Sequence, residues 1–131
     1  MKKEFEKFLN SSWGLEIWLG NKIIFRSKKS GVAGLLDFIK KHGRRHRGAV
    51  IFDKIVGRGV AMLAAYLKAK EVWGKTGSRL AAKNLRKFKI KFHFYKTVPN
   101  ILNKKKTDLC PLEKLSFKRT PEEFYRCLAE K

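Results

Sequence analysis

The chain has 131 residues, 44% of them hydrophobic and 12% aromatic, enough for one packed domain that needs no disulfide or metal to fold. Lys and Arg number 32 against 11 Asp and Glu, a formal net charge of +21, which opposes compaction and attracts polyanions such as RNA, DNA or nucleotides. The longest apolar run, Val60 to Leu67, is too short to span a bilayer, and Met1 to Lys7 holds acids where a signal peptide would be apolar.

Two cysteines, Cys110 and Cys127, make no disulfide framework. The expectation is a cytoplasmic protein with reduced thiols, no membrane partner and no cofactor.

Residues 3 to 12 read as a short helix with Phe5, Phe8 and Leu9 on one face. A hairpin follows, Leu15 to Leu19 and Lys22 to Arg26, turned by Gly20-Asn21. Ser30 is placed to cap a helix with the stripe Val32, Leu35, Leu36 and Ile39, ended by Gly43. Ala49 to Phe52 reads as a strand covered on both faces. An Ala- and Leu-rich helix over roughly 57 to 69 comes next, then a short strand over Glu71 to Gly74.

Ser78 caps a helix with Leu80, Ala81, Leu85 and Phe88 inward and Arg79, Lys83, Arg86 and Lys87 outward. Ile90, Phe92 and Phe94 then alternate with polar residues, including His93 and Tyr95, as in a half-buried strand. Strand–helix–strand–helix–strand predicts three parallel neighbours. Thr97 and Pro99 start a helix ending near Asn103, Cys110-Pro111 starts another, and Thr120-Pro121-Glu122-Glu123 is a strong start signal for the last. The predicted fold is a single α/β domain over residues 1–131: a three-layer sandwich of a hairpin plus three parallel strands, with helices on both faces.

Two stretches carry a family resemblance. They are Asp53-Lys54-Ile55-Val56-Gly57-Arg58-Gly59-Val60-Ala61 and Thr107-Asp108-Leu109-Cys110-Pro111-Leu112-Glu113-Lys114-Leu115. With them the chain resembles an uncharacterised bacterial family, a domain of unknown function, from about Trp13 to the C-terminus. The resemblance implies a cytidine-deaminase-like fold and no known activity. A zinc deaminase carries His-x-Glu after the hairpin and Pro-Cys-x-x-Cys at the next helix start. Here those positions read Ser30-Gly31-Val32 and Asp53-Lys54-Ile55-Val56-Gly57, with no His or Cys ligand. No metal site is therefore expected.

Sites in such sheets form at the carboxyl ends of parallel strands, beside helix N-termini. Three candidates fall there. In the first, Lys54 and the amides near Gly57 suit an anion, and Asp53 can accept a hydrogen bond or act as a base; the plainer reading is a cap paired with Lys54. In the second, Lys75, Thr76 and Ser78 could hold a phosphate or form an ordinary capped turn. In the third, Cys110 at a helix start, after Lys104, Lys105 and Lys106, could be a reactive thiol, with Glu113 as acid or base and Thr107 and Asp108 as ligand contacts. The alternative is a structural cysteine.

Two functions follow. One is a pocket for a nucleotide-like or other anionic ligand, with Cys110, Asp53 and Glu113 as the catalytic candidates. The other is a basic nucleic-acid-binding module, since no acid interrupts the basic residues between Glu71 and Asp108. An aromatic RNA-binding signature is missing.

Overall fold

A computed structural model describes residues 1–101 and 115–129. α1 (Lys2–Leu9) buries Phe5 and Phe8. β1 (Leu15–Leu19) and β2 (Lys22–Ser27) pair antiparallel, with a register shift between Ile17 and Trp18. Gly20 turns the hairpin at φ +63°, the left-handed conformation that a two-residue loop needs. α2 (Val32–His42) ends at Gly43, also at φ +63°. There follow β3 (Val50–Val56), α3 (Arg58–Tyr66), β4 (Glu71–Ser78), α4 (Arg79–Lys87) and β5 (Lys91–Val98). α5 (Pro121–Ala129) starts with the expected reciprocal cap: Thr120 N–H donates to Glu123 Oε1 at 2.9 Å, and Glu123 N–H to Thr120 Oγ1 at 3.2 Å.

The strand order is β2-β1-β3-β4-β5. β1 is antiparallel to both of its neighbours, and β3, β4 and β5 run parallel. Helices cover both faces of this mixed α/β sheet. On one face, Phe5 of α1 meets Phe52 edge-on at 5.2 Å and Trp73 at 5.3 Å. On the other, Leu35, Leu63, Leu85 and Phe124 from four helices join Ile51 and Val72 in the main core. No described helix is long and apolar enough to cross a membrane.

Four sequence expectations change. First, β3 and β4 run on through Asp53–Val56 and Lys75–Ser78, read above as strand-to-helix turns. The parallel ladder continues there, with Asp53 opposite Gly74, Val56 opposite Gly77 and Ser78 opposite Val98, so main-chain pairing overrides turn-forming side chains. The glycines are needed as surfaces: a Cβ on Gly77 would run into the Phe94 ring, and one on Gly74 would lie 2.6 Å from Val56 Cγ2.

Second, Gly31 rather than Ser30 precedes α2, and no side chain of its own caps it. Third, Thr97 belongs to β5, paired with Gly77, and starts no helix. Asn103 lies outside the described residues. Fourth, α1 ends at Leu9, where Asn10 to Ser12 leave the helix.

Candidate functional site

Asp53 sits in β3 and is wholly buried. Its two carboxylate oxygens accept the Gly31 N–H at 2.9 and 3.0 Å, and one also accepts the Ile55 N–H at 3.0 Å. Gly31 lies at φ +70°, left-handed backbone that suits glycine. The acid thereby stands at the positive end of α2 and supplies the cap that Ser30 does not. Burial pushes the Asp53 carboxyl up to about 7, against the pull of the Ile55 and Gly31 amides. Such a group can exchange a proton near neutral pH, but it presents no surface to a ligand.

The inside-outside alternation of β3 breaks after Lys54. Lys54 faces α1, Ile55 is exposed, and Val56 returns to the main core. Lys54 Nζ donates to the Ser11 carbonyl at 2.8 Å and stands 4.7 Å over the Phe8 ring. Burial and then the charge of Lys75 hold its pKa below the ordinary lysine value, with Glu16 and Asp53 opposing. Asp53 and Lys54 therefore leave β3 on opposite faces of the sheet.

The other predicted residues divide similarly. Gly57 is the buried residue before α3, and its carbonyl accepts the Ala61 N–H at 3.1 Å. Ser78 caps α4 as expected, its buried Oγ accepting the Ala81 N–H at 3.0 Å. Thr76 is half-buried, whereas Lys75 is exposed and borders a hollow with Asn10 and Tyr95. Thr107, Asp108, Cys110 and Glu113 lie outside the described residues. Cys127 is half-buried in α5 between buried Phe124 and Leu128. Among the described residues, no group of three or more His, Cys, Asp or Glu could hold a metal ion.

The structure brings together a set that the sequence reading did not assemble. On the α1 face, Trp73 of β4 lies opposite His93 of β5, and their rings stack at 4.0 Å. Tyr95, two residues on, is 77% exposed. Lys75, Lys91 and Lys96 beside them are all exposed, as are Arg79, Lys83, Arg86, Lys87 and Lys89 around the same edge. The signal in the sequence is the alternation of Lys91, His93 and Tyr95 with Phe92 and Phe94, the pattern of an outward strand face.

Comparison with known proteins agrees with this architecture. The sequence model of a family described as a domain of unknown function (DUF1893) matches residues 6–131. The crystal structure of a DUF1893 family protein from Thermotoga maritima, at 2.70 Å resolution, superposes with a TM-score of 0.86 and 26% sequence identity, covering 98% of this chain and 87% of that one. No curated protein matches the chain.

Proposed function

We propose that this chain, which belongs to the DUF1893 family, is a basic nucleic-acid-binding module on a cytidine-deaminase-like scaffold. The scaffold reading is supported by a hairpin that feeds three parallel strands. One observation carries the functional reading. The acid-free stretch that follows Glu71 folds into β4, α4 and β5 and leaves Lys75, Arg79, Lys83, Arg86, Lys87, Lys89, Lys91 and Lys96 all exposed around one sheet edge. A dense set of exposed cations, uninterrupted by an acid in the sequence, suits the phosphate backbone of a nucleic acid. Binding of this kind is sequence-independent and requires no metal or catalytic group.

The pocket reading draws less support. Asp53 is buried under α2, Lys54 turns to the other face, and Ser78 is engaged in capping α4. Asp53 and Lys54 thus leave β3 on opposite faces of the sheet.

The test is charge reversal on outer α4. Lys83→Glu with Lys87→Glu changes two exposed residues and is expected to weaken binding to duplex and single-stranded oligonucleotides alike. Unchanged affinity for both would contradict the reading.

A further inference from the structure

The basic edge carries more than charge. His93 and Tyr95 occupy alternate positions of β5, so they project from one face about 6.6 Å apart along the strand. Each has a ring available to a partner. The His93 side chain is half exposed, and its inner ring face is already stacked on Trp73. Phe5 packs against Trp73 in turn, at 5.3 Å, so that stack is backed by α1. Glu71 Oε2 holds His93 Nε2 at 3.0 Å and fixes the ring.

Tyr95 is the most exposed large hydrophobic side chain among the described residues. Together with Phe5, Leu9, Trp73 and His93 it lines a largely apolar cleft of about 200 Å³. A hollow bordered by Lys75, Asn10, Tyr95 and Glu6 lies beside it. Lys91 precedes the two rings on the same face of β5, whereas Lys96, in phase with Phe92 and Phe94, leaves the exposed edge strand on the other face.

An apolar patch framed by cations calls for a ligand with flat apolar faces and regularly spaced negative charge. We infer that this face binds single-stranded nucleic acid, with bases stacked on Tyr95 and on the outer face of His93, and phosphates met by Lys75 and Lys91, with Lys96 at the strand edge beyond them. A duplex keeps its bases stacked on one another, so only an unpaired strand can use the rings. Glu6, on the α1 side of the cleft, repels phosphate and sets the path of the strand along the outer β5 edge. The inference rests on the nucleic-acid reading above and adds to it the kind of strand and the residues that grip it.

The test compares labelled oligo(U), oligo(dT) and a DNA duplex of equal length by fluorescence anisotropy at low salt. The proteins are wild type, Tyr95→Ala and Tyr95→Phe; because Tyr95 is exposed, both variants are expected to keep the wild-type circular dichroism spectrum. Tyr95→Ala is expected to weaken single-strand binding at least about fivefold, the low end for one lost base–aromatic stack. It leaves duplex binding unchanged, and Tyr95→Phe stays within about twofold of wild type. A response with either single strand supports the inference, and the tighter of the two identifies the sugar. If wild type binds but Tyr95→Ala changes nothing, or lowers duplex and single-strand affinity equally, the stacking inference falls while the basic-surface reading stands. If wild type binds none of the three, both fall.

Discussion

The Asp53 carboxylate receives the Gly31 N–H across 22 positions of sequence, at 2.9 Å. That contact ties the middle of the sheet, at a fully buried Asp53, to the start of α2. A buried acceptor of this kind satisfies donors that would otherwise be stranded.

Titration of Asp53 follows from that burial. Its carboxyl moves from an ordinary value of 3.8 to about 7 in the folded chain. Between those values the folded chain binds more protons than the unfolded one, so Asp53's contribution to stability is full below the lower value. It is lost as pH rises through about 7. Thermal melts of wild type and Asp53→Asn from about pH 4 to about pH 8 are expected to show the wild type losing ground to the variant as pH rises. A constant difference across that range would contradict the assignment. Asp53→Ala, which strands the Gly31 and Ile55 amides, is expected to cost on the order of 3 kcal/mol at any pH in the range.

Gly77 is a packing requirement. A methyl group there meets the Phe94 ring. Gly77→Ala is expected to destabilise by roughly 1–3 kcal/mol in urea unfolding. Combining it with Phe94→Leu should recover part of the loss, and a strictly additive double variant would show that the ring is not the obstacle.

Much of this fold is legible in the sequence. The Gly20-Asn21 turn, the caps at Ser78 and Thr120, and the spacing of Phe5 and Phe8 are local signals, and local chemistry decides them. The carboxyl ends of β3 and β4 are not. Lys75-Thr76-Gly77-Ser78 has the composition of a turn, but its backbone is claimed by a parallel ladder on each side, and its glycine serves a ring on the next strand. The same limit applies to the site. Asp53 stands out as an acid in an apolar run, yet its partner lies in the loop before α2, a contact that no local pattern encodes. Tyr95 looks like any outward strand residue until the extent of its exposure is known.

Cys110 and Cys127 are expected to differ in reactivity. Cys110 follows three lysines and precedes Pro111, a setting that favours the thiolate. Cys127 is half-buried in α5. Alkylation rates against pH for wild type, Cys110→Ser and Cys127→Ser are expected to show Cys110 as the faster thiol. Equal rates in the folded protein would remove it from consideration as a nucleophile.

The claim that the exposed cations serve a nucleic-acid backbone is tested most directly by the salt dependence of binding. Wild type and a Lys75→Gln, Lys91→Gln, Lys96→Gln variant are titrated with a labelled single strand over a series of salt concentrations. The account predicts tight binding at low salt and a linear fall of log affinity with log salt, about 0.7 for each phosphate neutralised on a single strand. It predicts a slope shallower by up to about 2 in the variant, with melting temperature unchanged because all three side chains are exposed. No binding at the lowest salt, or wild-type affinity that is indifferent to salt, would contradict it.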